Sequence, residues 1–344
     1  MIIYDGKIIT GLTGKWVIPN HAFDITYSTV PNGSISGPST AYGGETVTVT
    51  STPGSGYLLD YITVNGVAIQ GNTFTMPYGN VTISGAFKVN YNPLNLPPYT
   101  IRVVTDRYGG PGNTKGTATR VGEYSSNLYI FDVTYNNNDW SQMFQSGTTG
   151  ALVKVLGANI TGVTNTKNMF RQNNRLNEVV LFDTSSVTDM SYMFYDCREL
   201  TTIPLYDTHN VTDMSYMFCM SHDALGSNYS RYGLTSCPAL DTSKVTNMRA
   251  MFRGCSRLST APSIDTSKSN NLMEMFYQCR ELITVPMYTL HTGNTIELDY
   301  MYYYCSSVTS GAYNFYNYAK NFSTSHDSTF KMCGNNSNIP SSWK

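Results

Sequence analysis

The chain has 344 residues, which at about 150 residues per domain predicts two or three domains. Charged residues make up 13% of it, about half of the usual share of roughly 25%, and the net charge is −1. This balance gives no electrostatic basis for binding nucleic acid or an anionic membrane. The sequence also contains no stretch of about 18 apolar residues, so it predicts no insertion into a membrane.

Residues 1–26 form a short, strand-rich leader punctuated by Gly. The first residues have neither the basic and apolar segments nor the small-residue cleavage site of a signal peptide. Because the leader is short and differs from the rest of the chain, we expect it to anchor the protein to a larger assembly.

Residues 27–89 alternate strand-like runs, such as 45–50 and 81–87, with Gly and Pro turns, and Asn65-Gly66 predicts a hairpin. Gly56-Tyr57, with residues 73–77 and 86–88, resembles the internalin-type B-repeat. That resemblance implies a small all-β module that acts as a spacer on surface proteins. Residues 90–98, which contain three prolines, are predicted to be a linker.

The rest of the chain is dominated by a repeat. The segment 187–194 returns almost unchanged at 211–218 and again, with substitutions, at 245–252. From Met169 to Met193 to Met217, and from Met251 to Met275, the step between copies is 24 residues. The step from Met217 to Met251 is 34, which places ten extra residues within 219–234. Counting weaker copies, we find about eight repeats. Short, stacked units of this kind need atypical ends, which we assign to a cap region at 99–136 and to the C-terminus.

Within one repeat, Met190, Met193 and Phe194 have the i, i+3, i+4 spacing of a short amphipathic helix. Residues 200–205 are partly alternating and end in a turn, which is typical of a strand. The predicted fold is therefore a small all-β module followed by a leucine-rich-repeat-like α/β solenoid of about eight 24-residue repeats, over residues 137–344.

The block at residues 183–197 resembles the BspA-like leucine-rich repeat of gut bacterial surface proteins, mycoplasma lipoproteins and gut phage proteins. The resemblance covers the chain from about residue 137 to the end. It implies a right-handed solenoid that serves adhesion or binding, without catalysis. In agreement, the nucleophile-elbow, zinc-protease, phosphate-loop and dinucleotide-binding motifs are missing from the sequence, so we expect neither an enzyme nor a cofactor.

Two columns of the repeat could carry chemistry. In several repeats a Cys stands three positions after the Phe or Tyr that directly follows the second Met. These Cys residues are either a ladder of buried reduced thiols or a set of disulfides or metal ligands. The odd total of seven and the lack of a C-x-x-C pair favour reduced, structural thiols. The Asp-Thr pairs at Asp183, Asp207, Asp241 and Asp265 could bind calcium, but such pairs more often form Asx turns, so we expect no metal. The Cys column is Cys197, Cys255, Cys279, Cys305 and Cys333.

Two further features are candidates for recognition. One is a row of Tyr residues just outside the core stripe, expected to be exposed together with Arg171 and Arg253; alternatively, it only covers neighbouring repeats. The row is Tyr192, Tyr195, Tyr216, Tyr277, Tyr300 and Tyr303. The other is the ten-residue insertion, with His222, Tyr229, Arg231 and Tyr232. Tyr and Arg dominate binding hot spots, so both features are expected to contact a host surface glycan or protein.

Surface-adhesin modules together with the absent export signal favour a virion-attached fibre, decoration or receptor-binding protein of a phage that infects gut bacteria. Its leader would bind other virion proteins, and the chain would form a homo-oligomer or part of a larger assembly. The alternatives are a bacterial cell-surface adhesin and an intracellular scaffold built of repeats.

Overall fold

The protein is described by a computed structural model over residues 2–4, 7–9, 21–54, 57–89, 95–108, 110–111, 114–144, 152–221 and 232–344. The chain divides into two compact units, Met1–Asn90 and Tyr91–Lys344, and each has its own apolar core. Within the described residues, no helix has both the length and the apolar character needed to cross a membrane.

The first unit is built from short strands. They are β1 (Ile2–Tyr4), β2 (Lys7–Ile9), β3 (Ala22–Tyr27), β4 (Gly33–Ser36), β5 (Thr40–Tyr42), β6 (Thr46–Thr48), β7 (Thr50–Pro53), β8 (Tyr57–Val64), β9 (Val67–Ile69), β10 (Thr73–Thr75) and β11 (Val81–Val89). A five-stranded sheet has the order β5-β3-β11-β8-β9, in which only β3 and β11 run parallel. The pairs β1–β2, β4–β7 and β6–β10 are separate antiparallel ladders.

Alternation along these strands decides which side chains are buried. Ile25, Ile35 and Val47 are buried while the residues on either side of each are exposed or partly exposed, as expected for a strand with one face on a core. The predicted hairpin at Asn65-Gly66 is confirmed. The two residues connect β8 to β9 with φ angles of 49° and 80°, the positive values that a two-residue turn of this type requires.

The second unit begins with a four-stranded antiparallel sheet. Its strands are β12 (Thr100–Thr105), β13 (Thr117–Ser125), β14 (Leu128–Thr134) and β15 (Leu152–Asn159), in the order β13-β14-β12-β15. Strand β15 continues the sheet towards the repeats, because Val155 N–H donates to the Glu178 carbonyl and Asn177 N–H donates to that of Val153. The sheet and the repeats therefore share one apolar core.

The repeats beyond this sheet are made of tight turns. In one of them, Met193 N–H donates to the Met190 carbonyl at 3.2 Å and Tyr195 N–H to the Tyr192 carbonyl at 3.1 Å. Tyr192, the third residue of the first turn, has a φ of 58°, in the left-handed region that L-residues enter at a cost of roughly 1–2 kcal/mol. The equivalent residue is left-handed in all eight repeats, with φ between 52° and 59°, at Gln142, Asn168, Tyr192, Tyr216, Ala250, Glu274, Tyr300 and Ser328.

The remaining backbone donors join each repeat to the next one. Met190, Tyr192 and Phe194 donate their N–H groups to carbonyls of residues 213, 215 and 217, at 2.9–3.0 Å. Single-residue parallel bridges follow the same direction, for example from Asn165 to Asp189. Alternate residues thus bond within the repeat and between repeats, which satisfies the backbone without a regular helix or strand.

A column of aromatic rings fills the centre of the repeats. Its eight rings are all buried, and neighbouring centroids lie 5.4–5.8 Å apart with interplanar angles of 1–19°. We call it the ring column: Phe144, Phe170, Phe194, Phe218, Phe252, Phe276, Tyr302 and Phe330. Burial of each such side chain contributes about 1.5–3 kcal/mol, so the column is a principal source of cohesion between repeats.

The predicted α/β leucine-rich-repeat solenoid is wrong, as is the right-handed solenoid that the resemblance implied. The spacing of Met190, Met193 and Phe194 does bring the three side chains into the core, but a left-handed residue between them excludes an α-helix. Residues 200–205, predicted to be a strand, have no regular secondary structure. The protein is instead a set of several small sheets with turn-rich repeats.

Within the described part of the repeats, regular elements return only near the C-terminus. They are β16 (Ile296–Glu297), α1 (Ala312–Ala319), β17 (Thr324–Ser325) and a 3-10 helix (Ser341–Trp343), and β16 pairs with β17 in parallel. Trp343 is buried with its ring 6.3 Å from that of Phe330, and Phe330 N–H donates to the Trp343 carbonyl at 2.9 Å. The last ring of the column is therefore covered by the end of the chain.

A candidate binding face on the repeats

Two positions in the repeat flank the buried ring: the residue two before it and the residue directly after it. Where these positions carry Tyr, as Tyr192 and Tyr195 do on either side of Phe194, the side chains are half-buried. Because the repeats are in register, equivalent side chains of neighbouring repeats touch. We call the resulting surface the Tyr–Arg face: Arg171, Tyr192, Tyr195, Tyr216, Arg249, Arg253, Glu274, Tyr277, Tyr300 and Tyr303.

The first group on this face is built around a stacked pair. The rings of Tyr192 and Tyr216 lie 4.6 Å apart at an angle of 9°. The guanidinium of Arg171 lies 5.5 Å from the ring centroid of Tyr192 and 4.9 Å from that of Tyr195, while Arg249 lies 5.7 Å from that of Tyr216. Such cation–π contacts contribute about 0.5–1 kcal/mol at exposed sites and hold the rings in fixed orientations.

The second group, nearer the C-terminus, is also built around a stacked pair of Tyr rings with an Arg beside them. The rings of Tyr277 and Tyr303 lie 4.8 Å apart at 8°, and the guanidinium of Arg253 is 4.3 Å from the Tyr277 centroid. Tyr300 packs edge-on against Tyr303 at 5.8 Å and donates its hydroxyl to Asp327 at 3.0 Å. The hydroxyl of Tyr300 is thus already engaged within the protein.

One carboxylate lies on the face. Glu274 accepts a hydrogen bond from Arg253 and lies 3.5 Å from Arg249, so it neutralises charge in the middle of the face. Neither Glu274 nor Arg249 was predicted from the sequence. Alignment of the repeats by column would have revealed Glu274, because it occupies the same repeat position as Tyr192, Tyr216 and Tyr300.

The six predicted Tyr residues are therefore half-buried and form two groups, whereas the sequence predicted an exposed row. Burial raises the pKa of Tyr192, Tyr195 and Tyr216 above the ordinary value, and the hydrogen bond to Asp327 raises that of Tyr300. All four phenols consequently stay neutral at physiological pH. Each group offers flat apolar rings together with hydroxyl groups and cations.

Of the four residues predicted to matter in the insertion, Tyr232 alone lies within the described part of the chain. His222, Tyr229 and Arg231 lie outside the described residues. Tyr232 is half-buried, its N–H donates to Ser256 Oγ at 3.1 Å, and the guanidinium of Arg198 lies 5.5 Å from its ring centroid.

The predicted Cys column forms a regular set of buried contacts. The thiols of Cys197, Cys255, Cys279 and Cys305 each donate to the carbonyl of a ring-column residue in the preceding repeat, at 3.1–3.2 Å. Burial raises the pKa of these thiols, and that of Cys255 reaches about 12. Cys333 is buried too, with its pKa raised by burial to about 12. All seven thiols are free in the structure.

The Asp-Thr pairs form turns, which confirms their interpretation as Asx turns. Asp183 accepts the N–H of Ser185 at 3.0 Å, and Asp241 accepts that of Ser243 at 3.0 Å. The hydroxyl of the adjoining Thr bonds to the next repeat, as from Thr184 to the Asp207 carbonyl at 2.7 Å. Across the described part of the chain, no group of three or more His, Cys, Asp or Glu side chains could hold a metal ion.

Comparison with known proteins agrees with the division into two units. Residues 23–91 match the divergent InlB B-repeat domain, which supports the B-repeat resemblance of the first unit. Residues 138–237 and 227–343 match the family described as "Mycoplasma protein of unknown function, DUF285", which supports the BspA-like resemblance of the repeats. Neither description names an enzymatic activity. No curated protein and no solved structure matches the chain. Since the second family covers more than half of the residues, the chain belongs to the DUF285 family.

Proposed function

We propose that this protein is a non-enzymatic binding protein, displayed on a surface, that uses the Tyr–Arg face to contact a glycan or protein on a bacterial cell. Both family matches are consistent with a surface-binding role. The observation that carries the proposal is the pair of stacked Tyr groups, each held by an Arg, on one face of the repeats. Rigid aromatic rings with polar tips lose little conformational entropy on binding, which suits them to recognition.

The test removes the first stacked pair without disturbing the fold. Ala250 occupies the same repeat position as Tyr192 and Tyr216, with a φ of 52°, so the backbone accepts Ala there. We expect the double variant Tyr192→Ala/Tyr216→Ala to bind gut-bacterial cells at least about tenfold more weakly, the equivalent of 1.4 kcal/mol, with little change in Tm.

The matched control is Tyr313→Ala, which removes an exposed Tyr from α1, away from the Tyr–Arg face. It should bind cells as the native chain does. Labelled full-length chains and flow cytometry on a panel of gut-bacterial strains give the comparison. Equal binding by the double variant and the native chain would refute the proposed use of this face.

The surface that carries the protein is a separate part of the proposal. We favour a phage particle, to which the leader attaches the chain through other virion proteins, over the envelope of a bacterium. The free, buried thiols support this choice, because virion proteins fold in the reducing host cytoplasm, where a structural ladder of thiols is not oxidised. Antibodies against the chain should label purified phage particles from the source culture. Labelling of cell envelopes alone would establish the bacterial adhesin instead.

Attachment through the leader can be examined by truncation. Strand β3 belongs to the five-stranded sheet, where it pairs with β5 and β11, so the truncated chain must begin before Ala22 to leave that sheet whole. The truncated chain is expected to bind cells but not to join the particle.

A further inference from the structure

The Tyr–Arg face contains two steps with the same geometry. In each, an Arg directly after one column ring lies over the Tyr directly after the next ring. Arg171 lies 4.9 Å from the centroid of Tyr195, and Arg253 lies 4.3 Å from that of Tyr277. The two steps therefore give a comparison within a single chain.

The steps differ in charge. Beside Arg253, the position two before the next ring is occupied by Glu274, whose largely buried carboxylate pairs with both Arg253 and Arg249. Beside Arg171, the same position is occupied by Tyr192. Among the described residues, the guanidinium of Arg171 forms no ion pair, and its one side-chain hydrogen bond runs to Asn168 Oδ1 at 3.3 Å.

Arg171 is thus a cation that the surrounding protein leaves largely unsatisfied. Its Nε is buried without a hydrogen-bond partner in the described structure, and most of its other N–H donors have none either. The two terminal nitrogens of a guanidinium form a planar fork that matches a carboxylate and binds it through two parallel hydrogen bonds, and of their N–H donors only one is engaged here, with Asn168. The rings of Tyr192 and Tyr195 lie beside this fork, at 5.5 and 4.9 Å, and provide flat apolar surface with neutral hydroxyl groups.

We propose that the step formed by Arg171, Tyr192 and Tyr195 binds an acidic saccharide, with the guanidinium pairing the carboxylate of a uronic acid and a Tyr ring packing against the sugar. This inference rests on the proposed function and names the ligand class of the same face. One unpaired cation matches the single negative charge of a carboxylate, and the chain's net charge of −1 gives no general attraction for polyanions. At the other step the guanidinium of Arg253 is already paired with Glu274, so that step does not bind such a ligand.

The test uses two polymers with the same sugar backbone: polygalacturonate and its fully methyl-esterified form, in which each carboxylate is replaced by an uncharged methyl ester. In affinity electrophoresis of the full chain, polygalacturonate should retard the native protein. The esterified polymer should bind at least about tenfold more weakly, which corresponds to one contact of 1.4 kcal/mol. Arg171→Gln should lose the same factor. The control is Arg120→Gln, outside the Tyr–Arg face, where the guanidinium lies over the rings of Tyr108 and Tyr129 and pairs with Glu123; it should bind as the native chain does.

A second pair of variants separates the effect of an added negative charge from the effect of losing the Tyr192 ring. Tyr192→Glu places a carboxylate beside Arg171, as Glu274 lies beside Arg253. Glu274, with a φ of 59°, shows that the backbone accepts Glu at this position. Tyr192→Gln loses the same ring without adding charge, and Gln142 shows that the backbone accepts it. We expect Tyr192→Glu to bind polygalacturonate at least about tenfold more weakly than Tyr192→Gln, with the difference shrinking as salt screens the pair.

Several outcomes would overturn the inference: no retardation by polygalacturonate, equal binding of the charged and esterified polymers, or native binding by Arg171→Gln. Equal binding of poly-L-glutamate would show that the site selects carboxylates without a sugar. These results are separable from failure of the proposed function. If cell binding is lost in Tyr192→Ala/Tyr216→Ala but kept in Arg171→Gln, the face binds cells and only the acidic-saccharide assignment is wrong.

Discussion

The two units of the chain bury their apolar side chains in different ways. In the first unit, Ile25, Ile35 and Val47 are each the buried residue of a short strand, and the side chains of these different strands pack together in one core. In the repeats, a ring such as Phe218 is buried by the rings of the two adjacent repeats, at 5.8 and 5.6 Å. Burial of a ring therefore depends on the adjacent repeats, and a substitution in one repeat should destabilise the packing of both repeats beside it.

The units also differ in the ionisable side chains that they bury. All seven Cys residues lie in the second unit, and the first has none. Burial raises the pKa of Cys255 and Cys333 to about 12 and also raises that of the phenols of Tyr206 and Tyr302. An unfolded thiol ionises near its ordinary value of 9.0. Between these values the folded state holds more protons than the unfolded state, so stability is complete below pH 9 and falls as the pH rises.

The largest expected effect comes from this difference. Raising the pH from 8 to 10.5 should lower the free energy of unfolding of the second unit by about 1.4 kcal/mol per pH unit above 9 for each buried thiol. The third tryptophan, Trp16, belongs to the first unit, so a Trp16→Phe background is used. In it, urea unfolding under reducing conditions, monitored by the fluorescence of Trp140 and Trp343, reports on the second unit. Amide signals of Val49 and Ile83 report on the first unit, which should change much less. A pH-independent midpoint for the second unit would contradict the buried neutral thiols.

The next effect tests the dependence on neighbouring repeats. Phe218→Ala should lower the free energy of unfolding of the second unit by about 3–5 kcal/mol, because it leaves a cavity between two stacked rings. The control, in the same Trp16→Phe background, is Val49→Ala in the core of the first unit, which should leave the unfolding curve of Trp140 and Trp343 unchanged. A loss below about 1 kcal/mol for Phe218→Ala would mean that neighbouring rings close the gap.

The same contrast explains how much could be predicted from the sequence. Alternation and the Asn65-Gly66 turn are local signals, and they correctly indicated strands and a hairpin in the first unit. The repeat spacing likewise indicated which residues would form columns, including Phe194 and Cys197, both of which are buried. Column membership follows from periodicity alone, because in-register repeats must place equivalent residues together.

The conformation within a repeat could not be predicted in this way. Helix and stacked turns both place Met190, Met193 and Phe194 on one side, so the spacing could not distinguish them. The deciding residue, Tyr192, is left-handed although Tyr carries no signal for that region, and the equivalent residues include Ala250 and Glu274. What holds them there is bonding to the next repeat, which a single repeat sequence does not contain. The Tyr–Arg face was found only in part for a similar reason: charge pairing by Glu274 depends on contacts across repeats.

The smallest effects concern a second left-handed position, two residues after the column ring. Gly254 has a φ of 73° there, and a Cβ would lie 2.7 Å from the Met220 carbonyl oxygen. Gly254→Ala should therefore lower the free energy of unfolding by about 1–3 kcal/mol, from backbone strain together with the close contact. Urea unfolding of the second unit measures this loss, and an unchanged midpoint would show that the turn at Gly254 relaxes without cost.

Met332→Gly is the reciprocal change at the equivalent position near the C-terminus. Met332 has a φ of 56° and its side chain is exposed, so removing it relieves left-handed strain with little loss of burial. The gain is partly offset by the greater conformational freedom of Gly in the unfolded chain. We expect the free energy of unfolding of the second unit to rise by about 0.5–1 kcal/mol, read from the same Trp fluorescence curves. A decrease would mean that contacts of the Met332 side chain outweigh the strain in its backbone, and that the left-handed residues cost the repeats less than their φ angles indicate.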